Sequence, residues 1–204
     1  MNNPLQSENF LMRWAGKMGS FLGLSLLWLL FCLPVVTFIP SCVALYDSVT
    51  HCVRGNEDGP FRHFFRTLKT KLLRRIGMSL LWSLFGFGLF YGYWILYQMG
   101  KTSQLAAIYS LVYLGSMLIP LGILAWVIPV EARFDHGFVD THKTAATYAL
   151  LHLPTTAAVL GILALAIVFT FCLPVLLLII PCIAVTIQCW RIEKILICYL
   201  PMEE

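Results

Sequence analysis

The sequence predicts an all-α protein, a polytopic membrane helical bundle of about six membrane segments. Three observations predict it. First, Met18–Tyr46, Ile76–Gly100, Thr102–Val130 and Thr144–Trp190 contain no Asp, Glu, Lys or Arg over 29, 25, 29 and 47 residues, and about 20 apolar residues in a helix cross a bilayer core. Second, the 204-residue chain is 59% hydrophobic and 12% charged, about half the charged fraction of a soluble domain. Third, six of the 14 Lys and Arg (Arg62, Arg66, Lys69, Lys71, Arg74, Arg75) fall in Phe61–Arg75 with no acid among them, as expected of a segment held at an anionic membrane surface. Residues 1–204 read as a single membrane-embedded helical domain. Arg13 and Lys17 precede the first apolar run, but no small-residue cleavage site follows it, so a cleaved signal peptide is not expected.

The elements follow in order. Helix 1 is expected from about Phe10 to Leu33. Helix 2 starts near Pro40, where proline suits a first turn, and runs to Val53. The middle windows give one helix each, Ile76–Tyr97 and Leu105–Val130. Pro174 divides the last window into Leu151–Cys172 and Val175–Trp190. That division has an echo: Phe31-Cys32-Leu33-Pro34-Val35 recurs 140 residues later as Phe171-Cys172-Leu173-Pro174-Val175, and the same offset aligns Cys42 with Cys182 and Ala44 with Ala184. A Pro-broken hairpin at each end is one reading; chance similarity of Leu-rich segments is the other. Helix 2 is short and carries Asp47, so five spans plus a partly inserted helix is the alternative. The positive-inside rule favours six. Six spans put 13 Lys and Arg inside and only Lys101 outside, with both termini cytoplasmic, whereas five give 11 against 3.

Pro60 opens the sharpest local pattern. Phe61, Phe64, Phe65, Leu68 and Leu72 fall on one helical stripe, with Arg62, Arg66 and Lys69 on other faces. Such a helix is expected to lie in the interface, rings in the acyl boundary and cations at phosphates. Its residues, with Arg54 and Arg133, are the candidate contacts for lipid or a partner. Asp47, His51 and Arg54 form a second stripe, at i, i+4 and i+7. It either lines a cavity or turns to the cytoplasmic interface. Glu131–Lys143, with His136, Asp135, Asp140 and His142, has no metal-ligand spacing and reads as a solvated mixed-charge loop.

Aromatics at Phe90, Tyr91, Tyr93, Trp94 and Tyr97 suit an interfacial belt. Gly88-x-x-x-Gly92 permits close helix packing, and Pro120, Pro129 and Pro154 are expected to kink or cap helices. The seven cysteines form no CxxC pair and read as small hydrophobes. No phosphate-binding loop, nucleophile elbow or zinc-protease motif is present, so no enzyme, cofactor or metal site is expected. So apolar a chain also makes nucleic acid a poor partner.

The run Leu27-Trp28-Leu29-Leu30-Phe31, Leu33-Pro34-Val35-Val36-Thr37, Pro40, Ala44-Leu45-Tyr46, Val53-Arg54-Gly55 and Phe61–Lys69 resembles the YesL family of bacterial membrane proteins, as do Ala132-Arg133-Phe134, Lys143, Ala146 and His152-Leu153-Pro154. The resemblance covers about residues 10 to 195 and departs at Thr70-Lys71. It implies a multi-pass protein of the bacterial cytoplasmic membrane, of unknown activity, from a family whose genes often neighbour carbohydrate transporters and glycoside hydrolases. It carries over no catalytic or ligand residue. The expected function is an accessory or regulatory partner of a carbohydrate transport system; the alternative is a small-solute carrier or substrate-binding component. Expected partners are anionic lipid headgroups and transporter subunits, with a homo-oligomer left open.

Overall fold

A computed structural model describes residues 19–53, 59–101, 103–173 and 178–199. Every regular element among them is helical: α1 (Gly19–Cys32), a 3-10 turn (Val35–Thr37), α2 (Phe38–Val53), α3 (Pro60–Lys69), α4 (Leu72–Gly100), α5 (Gln104–Ser116), α6 (Leu118–Arg133), α7 (Phe138–Leu151), α8 (Leu153–Cys172) and α9 (Ile180–Tyr199). Three helices are long and apolar enough to cross a membrane: Leu72–Gly100, the nearly continuous Gln104–Arg133, and Leu153–Cys172. Most of their apolar side chains stand outside the protein core, and surfaces of that kind are stable against hydrocarbon rather than water.

Where the sequence predicts six spans, three helices therefore meet the requirement among the described residues. The other predicted spans are α1, whose described part is the shorter stretch Gly19–Cys32, α9, which carries Arg191, Glu193 and Lys194, and α2. The first residues of α2 meet α4 near its start: the Ile39 N–H donates to Ser79 Oγ at 2.9 Å. Ser79 is seven residues past Leu72, about 10 Å along a helix about 44 Å long. The chain thus turns back at Leu33–Thr37 well short of the far end of α4, and α2, 16 residues long, reaches only part of the way. Thr37 makes the reversal possible. Its hydroxyl reaches the carbonyl of Phe31, in the last turn of α1, where a helix leaves acceptors without ladder donors, and that of Pro34, which also accepts the Thr37 N–H at 3.0 Å.

Although short, α2 is the hub. It packs against α3, α4, α6 and α9. Ile39, Val43, Ala44, Leu45, Tyr46 and Val49 are buried around it, as befits a helix apolar on most sides. One core cluster joins Leu24, Ala44, Leu45 and Val49 to Phe64, Leu68 and Cys182. Another joins Trp126, Val127 and Val130 to Ala145, Tyr148, Val159, Ile192 and Leu196.

Breaks fall where sequence chemistry puts them. Both α1 and α8 stop at the repeated Phe-Cys-Leu-Pro-Val run, after Cys32 and Cys172. The predicted Leu105–Val130 helix is interrupted at Met117, three residues before Pro120, whose ring has no N–H to continue the ladder. At His152 the chain leaves helical geometry (φ −113°, ψ 49°) ahead of Pro154. Thr156 secures that corner, accepting from Trp126 Nε1 at 2.9 Å and donating to the Ala149 carbonyl. Gly92 meets α5, since a Cβ there would lie 2.7 Å from Tyr113 Oη, whereas Gly88 faces open space.

Candidate functional site: a polar cleft at the charged end of the bundle

The charged residues gather at one end, where α2 and α6 finish and α4 begins. Pro60 fixes the first turn of α3 and Gly59 precedes it. The stripe then splits. Phe64 and Leu68 bury in the protein core, while Phe61 and Phe65 remain about 40% exposed. This corrects the expectation that the whole stripe inserts in lipid: half of it is spent on α1 and α2. The Phe61 ring lies on α1 at Gly23, where an added Cβ would come within 2.5 Å of it. Phe65 meets Phe64 and Phe31 edge-on.

Polar residues on the buried side of α3 meet the predicted Asp47 stripe. His63 Nε2 lies 2.8 Å from Asp47 Oδ2, and Thr67 Oγ1 donates to the same oxygen at 2.7 Å. Arg66 Nη2 lies 2.8 Å from His63 Nδ1. A guanidinium only donates, so Nδ1 accepts and the ring proton sits on Nε2, facing the carboxylate. The His51 ring packs 3.9 Å from the His63 ring, centroid to centroid. Burial, and then the neighbouring His63, hold the His51 pKa below its ordinary 6.5, with Asp47 opposing. Of the predicted stripe, then, Asp47 and His51 come together on α3; Arg54 lies outside the described residues.

Between α3 and α4 the chain bends at Lys71, the one non-glycine residue with positive φ among those described (φ 52°, ψ 30°). Lys71 pairs with Asp135, and its ammonium pulls that exposed carboxyl below the usual range. Arg74 and Arg75 both pair with Glu131, whose side chain has no solvent exposure. Arg75 Nη1 also donates to the Thr67 carbonyl at 2.5 Å. Arg133 Nε donates to Glu193 of α9 at 2.6 Å.

The Glu131–Lys143 segment is thus not the solvated loop its composition predicts. Glu131 and Arg133 end α6, and Thr141 to Lys143 belong to α7. His142 is engaged on both nitrogens, with Trp82 Nε1 donating to Nε2 at 3.0 Å and Nδ1 facing the Phe138 carbonyl at 2.8 Å. No group of three potential metal ligands occurs among the described residues.

Together these side chains line a cleft of about 310 Å³ formed by Asp47, His63, Arg66, Thr67, Thr70, Lys71, Arg75 and the α6 end from Glu131 to Asp135. Sequence reasoning reached Asp47, Arg66 and Arg133. It missed His63, Thr67, Arg75 and Glu131. The i, i+4 placement of His63 and Thr67, between apolar residues of α3, is the signal that pointed to a polar buried side.

A family described as proteins of unknown function, DUF624, matches residues 21–93. The chain is similar to that family from α1 through most of α4, a stretch that carries Asp47, His63, Thr67 and Arg75 but not Glu131 or Arg133. Neither curated proteins nor solved structures offer a match.

Proposed function

We propose that this chain is a non-enzymatic accessory protein of the bacterial cytoplasmic membrane that offers the charged end of its bundle to a carbohydrate transport system. The observation that carries the reading is the two-sided use of α3. Its inner side (His63, Phe64, Thr67, Leu68) is fixed to the core, while Phe61, Arg62, Phe65 and Lys69 stay exposed on the outer side, a rigid cationic and aromatic edge. Arg62 and Lys69 have no ion-pair partner among the described residues. Anionic headgroups and an acidic partner surface both complement that edge. The resemblance to the YesL family is what supports the transport context; the similarity to DUF624, a family of unknown function, is compatible with that resemblance and adds nothing about transport.

Pull-down of the tagged protein from mild detergent is expected to recover transporter subunits, and Arg62→Glu with Lys69→Glu to release them. Repeated recovery of the chain alone overturns the reading. A cysteine at Lys69 should react with a membrane-impermeant thiol reagent only in inside-out vesicles, and one at Lys101 only in intact cells.

The carrier reading is favoured by one observation, the matched breaks after Cys32 and Cys172. Against it, five of the polar side chains along the helices are satisfied internally, although Ser25, Ser48 and Gln188 keep buried atoms with no partner among the described residues. Ser110, Ser116, Thr170 and Thr186 donate to carbonyls of their own helices, and Ser79 caps α2. Solute uptake by reconstituted vesicles would restore it.

A further inference from the structure

We propose that the cleft at the charged end binds a phosphate-bearing anion, clasped by Arg66 and Arg133. The argument rests on how the cleft's charges are already committed. Each acid in its wall has cationic or hydrogen-bonding partners: Asp47 takes His63 and Thr67, Glu131 takes Arg74 and Arg75, and Asp135 takes Lys71. The donors are not exhausted in return. Arg66 carries a full charge, and its described hydrogen bonds go to a neutral acceptor, His63 Nδ1. Arg133 uses Nε on Glu193, yet its Nη2 is buried with no hydrogen-bond partner among the described residues. Buried donors left unpaired are costly and uncommon.

Both guanidiniums line the same cleft, and both act electrostatically on His51. Guanidinium forks match phosphate oxygens two at a time. Thr70 lines the cleft beside them, and its hydroxyl donates to the Arg66 carbonyl. At about 310 Å³ the cleft stands at the small end of ligand-site volumes and has room for a phosphate group with a small ester substituent. The cleft adjoins the exposed aromatic edge of α3, so the phosphate arrives either on a lipid headgroup or on a small soluble ester. This inference does not depend on the transporter partnership, because the purified chain alone must bind.

The test uses the full chain in neutral detergent. Thermal unfolding is followed with inorganic phosphate against chloride at equal ionic strength, and native mass spectrometry is run after mixing with phosphatidylglycerol or phosphatidylcholine. Because phosphate also raises midpoints by exclusion from protein surfaces, only a rise that Arg66→Gln diminishes identifies a soluble phosphate ester as the ligand; selective retention of phosphatidylglycerol without that rise identifies a headgroup. In either case Arg66→Gln, an exposed position where folding is expected to survive, weakens binding about tenfold or more, the loss of one charge-assisted hydrogen bond. Arg133→Lys, which keeps the charge for Glu193 but loses the fork, weakens it as well. If neither anion is preferred over its control, or both variants bind as the native chain does, the proposal is overturned.

Discussion

Arg75 Nε donates to Glu131 Oε1 at 3.2 Å, joining α4 to α6 across 56 residues of chain. The carboxylate has no exposure and also takes Arg74, whose side chain is 23% exposed, so one buried acid is shared by two cations. Removing one partner of a buried ion pair costs more than the pair contributes, because the survivor is left unneutralised. Glu131→Gln is therefore expected to destabilise the protein by about 3–5 kcal/mol, read as a lower unfolding midpoint in detergent. Arg75→Met combined with Glu131→Met should cost less than the two single changes added together.

Asp47 is what fixes the inner face of α3. Asp47→Asn weakens two hydrogen bonds to one oxygen, those from His63 and Thr67, an expected loss of about 1–3 kcal/mol. Limited trypsin digestion reports it directly. Cleavage at Arg62, Arg66 and Lys69 should accelerate well beyond any change elsewhere, because α3 leaves α2 before the bundle opens.

The His51 site gives a pH dependence with a defined sign. Burial and the nearby His63, Arg66 and Arg133 disfavour its charged form, so its folded pKa lies below 6.5. The unfolded chain then holds more protons over that interval, and stability falls as pH drops through 6.5 toward the folded value. Proton NMR of the His51 ring should show a midpoint below 6.5. Asp47→Asn should lower it further, because that carboxylate opposes the shift. A midpoint unmoved by this change contradicts the geometry.

Lys71 occupies left-handed backbone (φ 52°), which costs an ordinary L-residue about 1–2 kcal/mol. Its pairing with Asp135 returns little, because that carboxylate is 84% exposed and solvent screens the pair. Lys71→Asn, a residue that tolerates left-handed backbone, should accordingly raise the unfolding midpoint, and Lys71→Val should lower it. In the Asn variant the Asp135 pKa should return upward toward 3.8.

What could be read from residues alone was local. Charge-free length locates α4 and α8, Pro60 opens α3, and the repeated Leu-Pro-Val places two breaks. Span number was not legible, because an uncharged window does not record where a chain turns back. Only the bond from Ile39 to Ser79 shows that α2 begins near the start of α4. Nor was the surroundings of Glu131 legible. Its partners Arg74 and Arg75 lie 57 and 56 residues away, and Trp82 finds His142 across 60, so a segment that looks solvated buries Glu131 and Thr141 while Asp135, Asp140 and Lys143 stay exposed. The stripe on α3 was legible as a pattern but not in its division between core and surface, since Phe64 and Phe65 are chemically identical.

The long reach of the Arg74–Glu131 and Arg75–Glu131 pairs bears on biogenesis. Arg74 and Arg75 precede Glu131 in the chain, so they are synthesised before their partner, and unpaired cations at the head of an apolar run are the kind of signal that orients a membrane segment. Only after α6 arrives can its single carboxylate join them, offsetting one of the two charges and tying the two helices together.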